Sequence, residues 1–422
     1  MTAGAIVDLE IGDVAHGGVL VARHQSGRVV FVADALPGER VRARVADVKK
    51  RFARAETLEV LEASPERVDH VWPEASLDRD PDERAGGAEF GHAPVAFGRE
   101  LKRRVLADAL TRFGGLDADS PLVAALAVEG LPGDDADRGR HWRTRVTLHV
   151  DADGRVGPYA ARSHRVVDVA SLPLAFDDIE ERALRAIADG VGGGPGRVDF
   201  VAPSDHDTRM RVVLDGAPAR EPGRIVERVR DREFSVSEAG FWQVHRHAAT
   251  TLFDAVQQAV DPGLLRADAD NLDLYGGVGL LGAALAELGG AGTRLRSVEA
   301  SADATAHAEA NLAEWTGAAA TTARVDRFLR GLVRDAGAAE RDRLRAATVV
   351  LDPPRAGAGR EVVDALVELA PAQLVYVACD PVALGRDTGL LRERGYEPVR
   401  LRAFDLFPNT HHVEAVAAFV RG

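Results

Sequence analysis

The stretch Asn271-Leu272-Asp273-Leu274-Tyr275-Gly276-Gly277-Val278-Gly279 decides the fold. A short apolar strand runs straight into glycines, and Leu280-Leu281-Gly282-Ala283-Ala284-Leu285 then reads as a helix. A turn without side chains lets the backbone approach a ligand closely. Outward from it, strand and helix alternate from about Phe241 onward. Strands are expected at 271–275, 295–299, 348–352, 374–379 and 413–420, with helices at 280–288, 302–315, 361–369 and 381–394. That alternation predicts an α/β, Rossmann-like domain built on a doubly wound parallel sheet.

Ligands of such sheets bind at the carboxyl ends of strands beside the crossover. Glu299, Asp352 and Cys379 each end a predicted strand, so one edge collects all three. Glu299 lies about 20 residues beyond the glycine turn, where an acid can bind ribose hydroxyls. The glycine spacing is not Gly-x-Gly-x-x-Gly, and no cradle for a pyrophosphate is evident. A ligand with ribose and no phosphate, such as S-adenosylmethionine, fits better than NAD. Asp352-Pro353-Pro354-Arg355 adds a loop whose prolines fix where the carboxylate points, although any rigid turn could use them.

Cys379 is the one cysteine of the chain. One cysteine cannot make an internal disulfide, a zinc finger or a cysteine-held iron–sulfur cluster. A lone cysteine is ordinarily a small buried hydrophobe. Here it follows Val375-Tyr376-Val377-Ala378 and precedes Asp380-Pro381, so it should emerge at a strand tip before a helix. Helix N-terminal dipoles would favour its thiolate, and Asp380 would oppose it.

The 422 residues suggest two or three domains, and 46% hydrophobic content suffices for proper cores. The N-terminal residues lack a signal peptide's basic and apolar regions, and no run approaches the roughly 20 apolar residues of a membrane span. A cytoplasmic protein without membrane partners is expected. A net charge of −13 argues against indiscriminate nucleic-acid binding. Positive charge is nevertheless clustered: Arg40, Arg42, Arg44, Lys49, Lys50, Arg51 and Arg54 stand against one acid, Asp47. Short β-branched runs over about 4–62, with turns at His16-Gly17-Gly18, Ser26-Gly27 and Leu36-Pro37-Gly38, predict a small barrel. Val41, Ala43 and Val45 would face its inside and Arg40, Arg42 and Arg44 its outside, as a solvated face or an RNA contact. A helix at 98–113 with Lys102-Arg103-Arg104 exposed, and strands at 144–150, 165–169, 197–202 and 210–214 around a helix at 176–189, suggest a central α+β lobe.

The chain resembles the RNA (uracil-5-)methyltransferases. The likeness rests on the glycine stretch above, on Asp352-Pro353-Pro354-Arg355, and on Ala378-Cys379-Asp380-Pro381 with Arg386-Asp387 downstream. It continues in Phe404-Asp405-Leu406-Phe407-Pro408-Asn409-Thr410 running into His412-Val413-Glu414, and in Phe241-Trp242-Gln243-Val244 before the first strand. The barrel is similar to the OB-like TRAM domain of many members. The resemblance implies S-adenosylmethionine as cofactor, transfer or ribosomal RNA rather than DNA as partner, and a monomer. It implies Cys379 as nucleophile on uridine carbon 6 and Glu414 as the base that removes the carbon-5 proton. Gln243, Tyr275, Gly277, Glu299 and Asp352 are the implied cofactor contacts, with no metal. The expected division is a barrel over 1–64, a lobe over 65–235 and a catalytic domain over 236–422, with the helix at 98–113 packing on the catalytic domain. Non-catalytic RNA binding, or methylation of a small molecule or protein, are the alternatives.

The chain departs from the family pattern in places. Gly276 stands where a small polar residue or cysteine is common, a change expected to matter little. Ala378 and Asp380 replace a frequent serine and asparagine, the latter adding charge beside the thiol. Ala85-Gly86-Gly87-Ala88 and Leu172 stand where cluster-bearing members carry cysteines, so no iron–sulfur cluster is expected.

Overall fold

The computed structural model describes residues 1–218 and 220–422. Five strands, β1 (Ile6–Ala15), β2 (Val19–Arg23), β3 (Val29–Ala33), β4 (Arg40–Val48) and β5 (Phe52–Glu62), close a barrel in the order β1-β2-β3-β5-β4. Period-2 alternation buries Val41, Ala43 and Val45 with Leu9, Leu20, Val30 and Val32. The outward arginines are not free. Arg40 pairs with Glu62 at 2.8 Å, Arg42 with Asp8 at 3.1 Å and Glu59 at 2.9 Å, and Arg44 with Glu56 at 3.0 Å and Asp82 at 2.9 Å. These acids sit across the strand in β1 and β5, or beyond the barrel, so a count along 40–54 missed them. Lys50, Arg51 and Arg54 keep no ion pair among the described residues.

After the barrel come α1 (Val95–Arg112), α2 (Pro121–Ala124) and β6 (Val128–Glu129). A lobe follows: β7 (Arg145–Val150), β8 (Val156–Gly157), α3 (Asp177–Asp189), β9 (Gly196–Val201) and β10 (Arg209–Leu214), its sheet ordered β10-β9-β7-β8. The strand expected at 165–169 is absent. Val166 makes only a single bridge to Tyr159, and Val167 and Val169 are buried in the lobe's core as irregular chain. The hairpin β11 (Arg224–Val229) and β12 (Arg232–Ser237) sends Ile225, Val229, Phe234 and Val236 into the core of the catalytic domain. The apolar cores therefore do not part at residue 235.

The remaining elements are α4 (Ala248–Ala259), β13 (Asn271–Leu274), α5 (Leu280–Gly289), β14 (Leu295–Glu299), α6 (Ala302–Asn311), β15 (Ala318–Thr322), α7 (Val325–Asp335) and α8 (Ala338–Arg345). They continue with β16 (Thr348–Leu351), α9 (Gly359–Leu369), β17 (Gln373–Ala378), α10 (Pro381–Arg392), β18 (Tyr396–Phe404) and β19 (Glu414–Arg421). Eight strands form one sheet, β15-β14-β13-β16-β17-β19-β18-β6. Strands β13 to β17 pair in parallel, and β19 enters antiparallel between β17 and β18. The order reverses between β13 and β16, which opens a crevice at their carboxyl ends.

Helix α1 lies on this domain. A Cβ on Gly385 of α10 would meet the Ala109 carbonyl at 2.4 Å, so the two helices touch backbone to side-chain-free surface. Of the three cations expected to be exposed on α1, Lys102 is not. It is 2% exposed, its ammonium bonds the Asp405 carboxylate, and it donates to the Phe407 carbonyl at 3.0 Å. Such an ammonium is held in the interior only because a carboxylate meets it there. No described helix is long and apolar enough to cross a membrane.

Candidate active site

Strand register brings the sequence-predicted residues together. Ala378 of β17 faces Ala415 of β19, so in an antiparallel pair the next residue along one strand, Cys379, stands opposite Glu414. Directly opposed Cβ atoms lie about 4.5–5.5 Å apart. Leu351 of β16 is in register with Tyr376 of β17, which puts Asp352 at the same edge. Cys379 opens onto a cavity of about 80 Å³ whose wall includes Phe90, Lys102, Arg355, Asp380, His411 and His412. A second cleft, of about 400 Å³, is lined by Tyr275, Glu299, Val325, Asp326, Pro354 and Val362. Pro354 faces one and Arg355 the other, so the Asp352–Arg355 loop is the partition.

The loop is held from behind. Asp387 of α10 accepts the Tyr376 hydroxyl at 2.7 Å and the Ala358 N–H at 2.7 Å, and it also accepts from the Gly359 N–H. This buried carboxylate ties α10 and β17 to the chain just after Arg355. Its position in the Arg386-Asp387 pair was visible in the sequence, its task was not.

In the larger cleft, Tyr275 takes a left-handed backbone (φ 60°) and Gly277 follows at φ 54°. The Gly277 N–H donates to Glu299 at 3.2 Å and the Ser301 N–H at 2.8 Å, which fixes that carboxylate at the end of β14. Beneath them Asp273 accepts the Ser297 hydroxyl at 2.8 Å. A Cβ at Gly276 would stand 2.1 Å from the Ser297 hydroxyl and 2.5 Å from Asp273. A side chain there would therefore have to displace the Ser297–Asp273 pair. Asp326, Arg324 and Val325 line the cleft and were not singled out in the sequence. They sit at the start of α7, after an edge strand, Ala318-Ala319-Ala320-Thr321-Thr322, too poor in apolar bulk to be read. Gln243 is half-buried before α4 and lines neither cavity.

The electrostatics are one-sided. Burial pushes the Asp273 carboxyl up to about 6, and burial with the nearby Asp273 pushes Asp352 up to about 7. Glu414, 4% exposed, is raised well above the carboxylate range by burial and by Asp352, against the pull of Arg355. The Cys379 thiol is pushed up to about 12 by burial, then by Glu414 and Asp352, with Arg355 opposing. The expected thiolate character beside the helix N-terminus is opposed first by burial and then by Glu414 and Asp352. Raised carboxyls thus stand together near the thiol, and Arg355 opposes the shift at Glu414 and Cys379.

Asp380, the charge added beside the thiol, caps α10 by accepting the Ala383 N–H at 2.8 Å and meets His16 of the barrel at 2.8 Å. In the lobe, Ala85, Ala88 and Leu172 pack in one apolar cluster with Trp72, Ala75 and Ala160.

Comparison with known proteins accords with this geometry. A TRAM-domain family model matches residues 2–58, and a tRNA (uracil-5-)-methyltransferase model matches residues 228–421. An uncharacterized RNA methyltransferase of Streptomyces avermitilis is 38% identical, with 98% of each chain covered. The chain belongs to the RNA (uracil-5-)methyltransferase family. Another such relative, from Bifidobacterium longum, is 34% identical over 94% of this chain and 93% of its own. Among solved structures, a Pyrococcus abyssi tRNA (uracil-54, C5)-methyltransferase in complex with S-adenosyl-L-homocysteine superposes with a TM-score of 0.69. It is 20% identical, covering 98% of this chain and 100% of that one, and it shares the fold of an S-adenosylmethionine-dependent methyltransferase. As a uracil-5-methyltransferase by family, this protein is an enzyme.

Proposed function

We propose that the enzyme methylates carbon 5 of a uridine in transfer or ribosomal RNA, with S-adenosylmethionine as donor, through a covalent bond between Cys379 and carbon 6. The observation that carries this reading is the strand register that sets Cys379 opposite Glu414 at the end of β17 and β19, with Cys379 opening onto a cavity that Arg355 also lines. The 400 Å³ cleft suits the cofactor. Glu299, anchored by two backbone N–H groups, retains lone pairs for ribose hydroxyls, and Tyr275, Val325 and Val362 offer apolar walls for a base. Asp273 and Glu414 are buried and Asp352 half-buried, and all three are short of a counter-charge, a setting that favours a bound cation. When bound, S-adenosylmethionine supplies a cationic sulfonium and its electrophilic methyl group.

The chain's own residues do the rest. Carbon 5 of uracil is a poor nucleophile. As the Cys379 thiol gives up its proton to solvent and its sulfur bonds to carbon 6, the carbon 5–carbon 6 π electrons move toward the carbon-4 oxygen, and carbon 5 of the resulting enolate can accept a methyl group. Glu414 then takes the carbon-5 proton, the double bond re-forms, and the carbon 6–sulfur bond breaks. Burial raises the Glu414 carboxyl above the ordinary carboxylate range, which makes it a stronger base once ionised. The target base must leave its stack to reach the thiol. On the barrel, RNA contact belongs to the unpaired Lys50, Arg51 and Arg54 rather than to the paired arginines of β4. Arg54 lies over Phe52, which packs edge-on against Phe31, and bases stack well on such aromatic groups. The apolar packing of Ala85, Ala88 and Leu172 takes the structural part that an iron–sulfur cluster would fill.

The test is trapping on RNA carrying 5-fluorouridine, with donor present. Fluorine cannot leave carbon 5 as a proton does, so wild type should stop as a denaturation-resistant RNA complex and Cys379→Ala should form none. Absence of a wild-type complex with any cellular RNA, cofactor binding being verified, would move the methyl acceptor elsewhere.

A further inference from the structure

The turn between β1 and β2 of the barrel does not stop at the barrel. Its residues His16, Gly17 and Gly18 form part of the wall of the cavity that holds Cys379. The turn is seated tightly: Gly18 has φ +73°, and a Cβ there would lie 2.6 Å from the His411 Cβ. It is also fastened at two points. His16 Nε2 meets Asp380 Oδ2 at 2.8 Å, and Asp13 at the end of β1 takes Arg104 of α1 at 3.2 Å.

Asp380 makes the first fastening matter. It follows Cys379 directly, and its other oxygen caps α10 through the Ala383 N–H. One carboxylate thus joins the barrel, the nucleophile's junction and the helix that follows. Both partners lean toward the charged pair. His16 is raised by its bond to Asp380, against burial and Arg386, and Asp380 is lowered by His16 and the cap although burial opposes it.

The position of His16 is as telling as its bond. His16, Gly17 and His411 line both the small cavity and a cleft of about 1010 Å³ between barrel and lobe, whose walls include Phe31, Phe52, Arg54, Arg84, Arg162 and Arg165. Asp34, Asp47, Glu56, Asp82 and Glu89 share those walls with the arginines, so the cleft is aromatic and of mixed charge, and His16 stands where it meets the cavity of the thiol.

We infer that the barrel completes the pocket for the reacting base and is not only a handle for RNA, with His16, through Asp380, as the positioning residue that holds this wall against the Cys379 junction. This rests on the reading that Cys379 adds to the base of a uridine. A 1 Å misplacement of reacting groups can cost about 100-fold in rate. The expectation is therefore a loss in the chemical step, whereas a mere handle would show its loss in RNA affinity.

Two measurements separate the possibilities. The first follows adduct formation with 5-fluorouridine RNA at saturating RNA. His16→Ala should slow it by about 10- to 100-fold with Kd for RNA within about 3-fold. Asp380→Asn, which keeps acceptor and cap, should retain most of the rate. His16→Ala combined with Asp380→Ala should be no slower than the slower single variant, since both break one contact. Gly18→Ala, which pushes the turn off His411 without touching the pair, should slow it as well. A wild-type rate in His16→Ala, a loss confined to Kd, or losses that multiply in the double variant would each overturn the inference. If wild type itself forms no adduct, it is the uridine reading that fails.

The second measurement needs neither RNA nor cofactor. Cys379 is the one thiol, so a neutral alkylating reagent reports on it alone. Loosening the wall in His16→Ala should speed labelling several-fold. Removing a cation near the thiol would by itself slow it, so an unchanged or slower reaction shows that the turn is no wall.

Discussion

The outer wall of the barrel and the floor of the catalytic crevice carry charge in opposite ways. On β4 every arginine meets an acid across the strand, at the surface, where solvent screens each pair and little stability is gained. In the crevice Asp273 and Glu414 are buried and Asp352 half-buried, and Arg355 is the cation that acts on Glu414 and the thiol. A balanced ladder needs no ligand to explain it. Buried acids short of a counter-charge keep a cost that a ligand can relieve, and such imbalance marks function. The Lys102–Asp405 pair completes the contrast, being buried like the crevice and balanced like the ladder.

The contrast is broken most directly at Glu414. If its charge is there to take a proton, Glu414→Gln should lower turnover by about 100- to 10,000-fold on ordinary uridine RNA. The block would fall after methyl transfer, so the variant should accumulate a covalent RNA complex on gels without any fluorine. Turnover close to wild type would make Glu414 a structural acid after all. Lys102 is the counterpart in stability. Lys102→Met leaves Asp405 buried without its cation, a loss of about 3–5 kcal/mol, read as a lower denaturation midpoint. Combining it with Asp405→Leu should recover much of that loss, because two apolar residues replace a buried pair at little net cost.

The crevice also predicts a pH dependence whose sign follows from burial. Asp352 at about 7 and Asp273 at about 6 hold protons that they would have lost in the unfolded chain. A cationic ligand favours their ionised forms, so binding should release protons. Affinity for S-adenosylmethionine should then rise as pH climbs from about 5.5 to 7.5 and level off above. The stability of the ligand-free protein should run the other way. Raised carboxyl values stabilise the fold fully below the unfolded value of about 4 and lose that contribution as pH passes 7. Calorimetry in two buffers of different ionisation heat reads the proton release, and thermal denaturation across the same range reads the stability. Binding without proton release would mean that these acids do not face the sulfonium.

Much of this was legible in the sequence because the catalytic strands are short apolar runs closed by Gly, Pro or Asp. Glu299, Asp352 and Cys379 were placed at one edge by counting strands alone. Glu414 came only from the family likeness, since an acid after two histidines looks like any surface acid. What stayed hidden depends on long-range partners. The arginines of β4 were read by neighbours along the chain, yet Asp8 lies 34 residues before Arg42. Lys102 looked exposed between two arginines because Asp405 lies 303 residues away. The same distance in chain hid His16, a polar residue in a glycine turn until Asp380 is brought to it. The thiol's raised pKa needed Glu414 and Asp352 in three dimensions, while the helix N-terminus beside it was visible locally and pointed the other way.

The smallest effects test the barrel half of the contrast. Arg42 is tied to Asp8 and Glu59 in solvent, so Arg42→Ala should leave the denaturation midpoint almost unchanged and barely move RNA affinity. Arg54 stands across the strand from Asp47, which is paired to Lys49, makes no ion pair of its own among the described residues, and lines the cleft between barrel and lobe. Arg54→Ala should weaken binding similarly across RNA sequences and reduce the slope of log affinity against log salt by about one. Phosphate contacts release counterions in proportion to the charges they neutralise, so the slope counts cations that reach RNA rather than cations on the surface. If Arg42→Ala removed as much slope as Arg54→Ala, the ladder would have to open on RNA, trading Asp8 and Glu59 for phosphates. Balance in the free protein would then be a resting state of the binding face, and the division drawn between paired and unpaired charge would hold in the crevice alone.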